Sequence, residues 1–300
     1  MRTHEEYRQR VEERLNELLA PPQGAFTAGQ RPGLLNEAMR YSVMAGGKRL
    51  RPCMLLAACE MLGGDWEKAL DYACAIEMIH TYSLIHDDLP GMDDDVLRRG
   101  KPTNHVVYGV GQAILAGDGL LNYAFEVMLK RALADRDTLP AGVSAIQDIA
   151  CGAGVTGMIA GQVADLWAER EHCTEEGLLT YIHKGKTMAM FKGALRAGAH
   201  LANAFEGSVQ SLDAYAESFG RLFQVTDDIL DVTAEADKFG KSKGKDAAEG
   251  KLTAVSALGL EGAMRLSEEL KNSALKALEP FGESAAYFIA LTINMYERKH

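Results

Sequence analysis

Proline, cysteine and long apolar runs are all scarce in this sequence. It contains 8 prolines and 5 cysteines among 300 residues. An odd number of cysteines without the paired short spacing of zinc sites or small secreted domains predicts free thiols in a reducing compartment. No run reaches the roughly 18 apolar residues of a membrane span, and the charged N-terminus lacks the apolar core of a signal peptide. We therefore expect a cytoplasmic protein without membrane insertion.

Positive charge is also in short supply. The chain has 32 Lys and Arg residues against 42 Asp and Glu residues, a net charge of −10 at pH 7. Such a chain repels a polyanion, so general nucleic-acid binding is excluded. Hydrophobic residues make up 47% and charged residues 25%, a globular mixture that excludes intrinsic disorder.

Alternating and β-branched patterns are nearly absent, whereas apolar residues recur at helical spacing along most of the chain. This periodicity predicts an all-α fold of about ten helices. No flexible linker or fixed repeat divides the chain, so we expect a single domain over residues 1–300. Clusters of Gly, Pro, Asp and Lys predict the breaks between helices, at 20–33, 46–51, 63–65, 89–106, 136–141, 170–175, 204–208, 234–252 and 279–284.

Residues 152–157, GAGVTG, match the glycine pattern of a dinucleotide-binding loop. That motif requires a preceding strand, and the residues before Gly152 have a helical pattern. We therefore interpret the glycines as close helix packing through small residues.

Five carboxylates crowd into the nine positions from Asp87 to Asp95, directly after a long helical pattern. Asp87 and Asp88 would lie at the C-terminal end of that helix, where the helix dipole disfavours further negative charge. Hard divalent cations offset such charge, and Mg²⁺ commonly bridges carboxylates to a substrate phosphate. A solvated acidic surface is the alternative, but such surfaces seldom follow an apolar stretch directly.

A second acidic cluster, Asp227, Asp228 and Asp231, lies on one face of another helical pattern, one turn after Gln224. Like charges on one face repel each other, so a cation shared between the two clusters is the economical explanation. Removal of one of these carboxylates is accordingly expected to leave folding intact.

Basic residues flank these clusters in four short segments. Arg and Lys in flexible backbone bind phosphate oxygens, so the combination predicts a site for two polyphosphate groups. One group would be held through metal ions and the other by basic side chains. The segments are GGKRLRP (46–52), RRGKP (98–102), Lys186-Thr187 and the lysine-rich loop 234–252.

Taken together, these motifs resemble those of the trans-isoprenyl diphosphate synthases. DDLPGMD (87–93) is similar to the first aspartate-rich motif of the family, DDILD (227–231) to the second, and GGKRLRP to its diphosphate-binding loop. The resemblance covers residues 30–298 and implies a helical bundle around a deep central cavity, a homodimer, and Mg²⁺ as cofactor, with Mn²⁺ as a possible substitute. The sequence departs from the family at Ala254-Val255, where an aromatic residue and proline are usual.

The resemblance also implies roles for individual residues. Thr187 would help to stabilise an allylic cation. The metal ions would be coordinated by Asp87, Asp88, Asp93 and Asp227, with Asp228 and Asp231 supporting the site from behind. The allylic diphosphate would contact Arg98, Lys186, Gln224 and Lys241. Isopentenyl diphosphate would be bound by Gly47, Lys48, Arg51, His80 and Arg99.

Tyr82 and Ser83 are the candidates for control of product length. Tyr82 lies five positions before Asp87, roughly 7–8 Å below it along the helix axis. In the family, an aromatic residue at this position, together with the insertion at Pro90-Gly91, goes with products of fifteen carbons. We therefore expect farnesyl diphosphate, with geranylgeranyl diphosphate as the alternative.

Other readings explain less of the sequence. A terpene cyclase needs no second diphosphate site, so Lys48, Arg51 and Arg99 would be unexplained. A non-catalytic subunit would tolerate loss of aspartates, and both clusters are intact. The sequence lacks the residue pattern of an EF-hand calcium loop. Ser83, His86 and Asp87 cannot converge as a hydrolytic triad, because they lie within one helix.

Overall fold

The computed structural model describes residues 2–20, 33–171, 176–233 and 253–298. These residues are almost entirely helical, so the prediction of an all-α fold is confirmed. The helices in chain order are α1 (His4–Leu18), α2 (Leu34–Val43), α3 (Leu50–Met61), α4 (Leu70–Asp87), α5 (Asn104–Tyr108), α6 (Val110–Leu133), α7 (Leu139–Ala153), α8 (Met158–Glu171), α9 (Glu176–Ile182), α10 (Ala189–Leu201), α11 (Glu206–Thr233), α12 (Ala254–Leu278) and α13 (Ala286–Tyr296). A π-helical segment, His183–Met188, joins α9 to α10, and a 3₁₀ segment, Glu279–Ala285, joins α12 to α13.

Helix α4 runs through the centre of the bundle. Most of its residues from Leu70 to Ile85 are buried, as expected of a helix that is apolar on nearly all sides. It packs against α1, α3 and α6, while α10 packs against α3 and α7, and α11 packs against α12. Because α4 is rigidly enclosed, its C-terminal end is a fixed platform for the first acidic cluster.

Small residues bring several helices unusually close together, as we predicted for 152–157. A methyl group built on Gly152 would lie 2.7 Å from the carbonyl oxygen of Ala189 on α10. Segment 154–157 differs from the sequence prediction, however, because it interrupts the helix and separates α7 from α8. Gly154 adopts extended dihedral angles, φ −83° and ψ −158°.

This interruption matters for the stretch Leu139–Glu171, which by length and apolar composition alone could cross a membrane. The break divides it into helices of 15 and 14 residues. A bilayer span needs about 20 residues, so neither helix reaches that length.

A short antiparallel hairpin lies within the predicted break 89–106. It consists of two strands of two residues each, β1 (Leu97–Arg98) and β2 (Lys101–Pro102). The hydroxyl of Tyr41 donates to the carbonyl of Pro102 at 2.8 Å, and the side-chain amide of Asn104 donates to the carbonyl of Ala38 at 2.8 Å. The hairpin is thereby anchored to α2, which fixes the position of the two arginines that it carries.

Candidate active site

The first acidic cluster begins where α4 ends, as the sequence predicted. Asp87 is the last residue of α4 and Asp88 caps it. The backbone N–H of Asp93 donates to the carbonyl of Asp87 at 2.8 Å, so the following loop folds back onto the helix end. Burial raises the pKa of Asp87 to about 6, with Asp93 and Asp88 acting in the same direction and Lys186 against it. The carboxylates are therefore close enough to repel one another.

Arg98 provides the counter-charge for Asp88. Its Nε and Nη2 atoms lie 2.7 and 2.6 Å from Asp88 Oδ1, and Nη2 lies 3.6 Å from Asp95. Burial raises the pKa of Asp88, and the hydrogen bond from Arg98 opposes that shift. The first arginine of RRGKP is thus held at the acidic cluster.

Lys186 reaches the same region from the π-helical segment. Its Nζ atom lies 2.6 Å from Asp165 Oδ2 on α8. The wide turn requires glycine, since a methyl group on Gly185 would lie 2.7 Å from the Cα of Gly161. π-Helical turns occur often at functional sites, and here the turn places Lys186 and Thr187 between the two acidic clusters.

A chain of hydrogen bonds runs from this segment to the second acidic cluster. The hydroxyl of Thr187 donates to Gln224 Oε1 at 3.1 Å, and the Gln224 amide donates to Asp228 Oδ1 at 3.3 Å. The other oxygen of Asp228 accepts the backbone N–H of Ala254 at 2.7 Å. Asp228 is 4% exposed, so it lies behind the surface of the candidate site, and its predicted supporting role stays a prediction.

Asp227, in contrast, faces the basic loop before α3. Its Oδ1 atom lies 2.6 Å from Nη1 of Arg298. Desolvation lowers the pKa of Lys48, nearby Arg298 lowers it further, and Asp227 raises it. Asp231 is half-buried one turn beyond Asp227. Among the described residues, no three His, Cys, Asp or Glu side chains are already grouped as a metal site.

The remaining basic residues gather on the other side of α4's end. A guanidinium N–H of Arg99 donates to the carbonyl of Gly46, and a methyl group on Gly47 would lie 2.7 Å from Arg99 Cζ. Arg51 stacks over Phe191, with Cζ 4.8 Å from the ring centroid. Burial lowers the pKa of Arg51 to about 10, and Arg99 lowers it further.

His80 faces these arginines from α4. Its pKa is lowered well below the ordinary value by burial, and the charges of Arg51 and Arg99 act in the same direction. Gly47, Arg51, His80 and Arg99 are thus brought together, and Lys48 extends from the same loop toward Asp227.

Tyr82 is 6% exposed, and its ring meets that of His86 edge to face at 5.7 Å between centroids. The hydroxyl of Ser83 donates to the carbonyl of His80 at 2.9 Å. Lys241 and the loop 234–252 lie outside the described residues, so their predicted contact with diphosphate stays a prediction. The structure defines the positions of the other site residues, and their roles likewise stay predictions.

Sequence reasoning gave no role to five residues that hold this geometry. Asp165 lies in the segment GQVADL (161–166), where an acid among apolar and small residues was one available signal. Glu77 is the one acidic residue among the buried residues of α4. The five are Arg49, Glu77, Asp165, Phe191 and Arg298.

Comparison with known proteins places the chain in a family. The polyprenyl synthetase family matches residues 32–282. The chloroplastic geranylgeranyl pyrophosphate synthase 9 of Arabidopsis thaliana is 47% identical over 266 residues, covering 87% of this chain and 73% of that protein. A dimethylallyltranstransferase of Fischerella ambigua is 43% identical over 291 residues, covering 96% and 82%.

A crystal structure of an FPP/GFPP synthase from Zymomonas mobilis has the same fold. Its TM-score is 0.85 at 36% identity, and the alignment covers 98% of this chain and 97% of that one. The two acidic clusters, the basic loop and these similarities agree, and the chain belongs to the polyprenyl synthetase family as a prenyltransferase of isoprenoid biosynthesis.

Proposed function

We propose that this prenyltransferase condenses isopentenyl diphosphate head-to-tail with dimethylallyl and geranyl diphosphates, with farnesyl diphosphate as its main product. One observation carries the proposal: two separate anion sites meet at the end of α4. The first combines carboxylates with Arg98 and Lys186. The second, built from Gly47, Arg51, His80 and Arg99, contains basic and neutral groups. A prenyl condensation needs both.

The first site fits Mg²⁺. Its donors are carboxylate oxygens, the ligands that Mg²⁺ prefers. Burial, with Asp93 and Asp88 acting in the same direction, raises the pKa of Asp87, so a cation would favour its ionised form. Asp87, Asp88, Asp93 and Asp227 would hold the ions, with Asp228 and Asp231 behind them, and Mn²⁺ offers the same chemistry. When bound, the ions neutralise negative charge on the departing allylic diphosphate.

Individual side chains of the protein act on the two substrates. Lys186 and Arg98 bind the leaving diphosphate and stabilise its developing charge. Because Thr187 donates its hydroxyl proton to Gln224, its lone pairs remain available to stabilise an allylic cation. Arg51 and Arg99 orient isopentenyl diphosphate, whose double bond attacks that cation. The proton lost from the adduct passes to released diphosphate, so no side-chain base is required.

The activity is tested with purified protein, Mg²⁺, isopentenyl diphosphate and each of the C5, C10 and C15 allylic diphosphates, followed by sizing of the products. We expect products from the C5 and C10 primers that stop at C15. Consumption of geranyl diphosphate without isopentenyl diphosphate would instead indicate a cyclase.

Product length is the finer part of the proposal, since the relatives include a geranylgeranyl and an FPP/GFPP synthase. Buried Tyr82 supports the shorter product, because a bulky ring five positions before Asp87 would limit the room for a growing chain. We expect Tyr82→Ala to shift products to C20 or longer, and Tyr82→Phe, which keeps the ring, to leave C15 dominant. An unchanged distribution in Tyr82→Ala, or geranylgeranyl diphosphate from the wild type, would favour the alternative.

The assembly we propose is a cytoplasmic homodimer of single-domain chains over residues 1–300. An exposed apolar face on α5 and α6 supports it, because Val106, Val110, Ile114 and Leu115 are each at least 41% exposed, and adjoining exposed apolar residues commonly mark an interface. Among the described residues Cys53, Cys59, Cys74 and Cys151 are free thiols, consistent with a reducing compartment. Sedimentation of the wild type and of Leu115→Lys tests the dimer.

A further inference from the structure

The buried residue Glu77 lies beneath the basic loop and is not used by the mechanism above. It is on α4, one turn before His80, and is 2% exposed. Its Oε1 atom lies 2.5 Å from Nη1 of Arg49, which is equally buried. Transfer of a carboxylate and a guanidinium from water into the protein interior costs free energy. A buried ion pair beside a proposed substrate site therefore indicates a role in that site.

Arg49 separates two proposed substrate ligands, Lys48 and Arg51. It caps α3 with left-handed dihedral angles, φ 49° and ψ 38°, a conformation that is uncommon for a residue with a side chain. Its Nη2 atom donates to the carbonyl of Val43 at 2.5 Å. The side chain of Arg49 therefore points into the protein, where its Nε atom also lies 3.7 Å from Glu12 Oε1. Lys48, in contrast, is exposed, and Arg51 stacks over Phe191.

Glu77 also acts on the guanidinium groups that face the substrate. Desolvation lowers the pKa of Arg51 and of Arg99, and in both cases Glu77 provides the largest opposing effect. Nε of Arg51 is buried and has no hydrogen-bond partner within the described part of the chain. This guanidinium is thus held charged and in place, with a donor left for a ligand.

We infer that Glu77 is a positioning residue for the isopentenyl diphosphate site: through Arg49 it holds the turn that presents Lys48 and Arg51. This inference rests on the proposed function. It concerns one of the two diphosphate sites, because no contact of Glu77 with the allylic side is among its described interactions.

The test measures KM for isopentenyl diphosphate and for geranyl diphosphate separately, together with kcat and the melting temperature. Glu77→Gln keeps the size of the side chain and removes its charge. We expect KM for isopentenyl diphosphate to rise at least tenfold, while KM for geranyl diphosphate and kcat at saturation change less than twofold. Asp71→Asn is the matched control, since it removes a more exposed ion pair on the same helix, with Arg14 at 2.8 Å.

A second variant separates positioning from stability. Replacement of a buried ion pair by apolar residues often preserves folding, so Arg49→Met/Glu77→Leu should melt near the wild-type temperature even if Glu77→Gln folds poorly. We expect its KM for isopentenyl diphosphate to stay at least tenfold raised. Recovery of that KM along with stability would show a merely structural pair and overturn the inference.

Two other results would also overturn it: an equal rise in both KM values, or a lower KM for isopentenyl diphosphate, which would mean that Glu77 only repels the anion. A wild type that does not condense the two substrates would defeat the proposed function itself, whereas an active wild type with unchanged variants would defeat only the role of Glu77.

Discussion

Nη1 of Arg298 lies 2.6 Å from Oδ1 of Asp227, so a residue near the C-terminus pairs with a carboxylate that the family resemblance assigns to a metal ion. The positive charge of the guanidinium partly neutralises this carboxylate and repels a second cation. We therefore expect Arg298 to oppose metal binding at Asp227.

Loss of this ion pair should strengthen metal binding. An ion pair of this partial exposure contributes about 0.5–1 kcal/mol, so we expect Arg298→Gln to lower the half-saturating Mg²⁺ concentration about two- to fivefold. Calorimetric titration in the presence of inorganic diphosphate measures it. Arg2→Gln, which removes the remote ion pair with Glu60, is the control, and unchanged or weaker Mg²⁺ binding in Arg298→Gln would contradict the prediction.

The two acidic clusters should respond differently to loss of one carboxylate. We expect Asp88→Ala and Asp227→Ala to lower turnover by at least ~10²-fold, the scale of losing one preorganised electrostatic group. Asp88→Ala should also lose about 1–3 kcal/mol of stability, because it leaves Arg98 without its buried partner, whereas Asp227→Ala should lose at most about 1 kcal/mol. The side chain of Asp227 is 37% exposed, so its ion pair contributes less to stability than the buried one of Asp88.

Urea denaturation alongside kinetics distinguishes the two effects. The sequence alone led us to expect no loss of stability at either position, since it showed the repulsion within each cluster but not the ion pair from Arg98. Equal stability of the two variants would mean that this ion pair contributes nothing.

Asp87 makes the stability of the metal-free protein depend on pH. Burial raises its folded-state pKa to about 6 from the ordinary value of 3.8, so the folded state holds the proton more tightly and stability falls as pH rises between these values. We expect Asp87→Asn to stabilise the metal-free protein by about 1–3 kcal/mol at pH 8, and the difference to vanish near pH 4. Melting with a chelator present measures it.

The exposed Asp137 provides the control for this experiment. Asp137→Asn removes the same charge at the surface and should show no such pH-dependent gain. A stabilisation of Asp87→Asn that is the same at both pH values would show that titration of this carboxyl is not its cause.

The π-helical segment should depend on glycine at position 185. A methyl group there would lie 2.7 Å from the backbone of Gly161, so Gly185→Ala should cost about 1–3 kcal/mol of stability and lower kcat at least tenfold by displacing Lys186. Gly177→Ala is the matched control, because a methyl group on that exposed glycine meets nothing within 4 Å. Full activity of Gly185→Ala would show that the segment adapts without moving Lys186.

The sequence by itself determined the fold class and the chemical character of the site. Helical spacing of apolar residues is a local property, and so are the end of α4 at Asp87 and the grouping of five carboxylates within nine positions. Predicted breaks at 46–51 and 204–208 overlap those of the structure, at 44–49 and 202–205, but each is placed about two residues too late. The sequence analysis did not predict the interruption at 154–157, because glycines are equally typical of close helix packing. In the structure the glycines of 152–157 serve both purposes.

Only the tertiary structure decided which charges meet. Glu77 and Arg49 are 28 positions apart, Lys186 and Asp165 are 21 apart, and Arg298 and Asp227 are 71 apart. Spacing along the chain carries no information about such pairs, since each depends on how separate helices cross. The same holds for the left-handed turn at Arg49. Its three basic residues, Lys48, Arg49 and Arg51, look alike in the sequence. The buried contacts of Arg49 with Glu77 and Val43 distinguish it as the one that points inward.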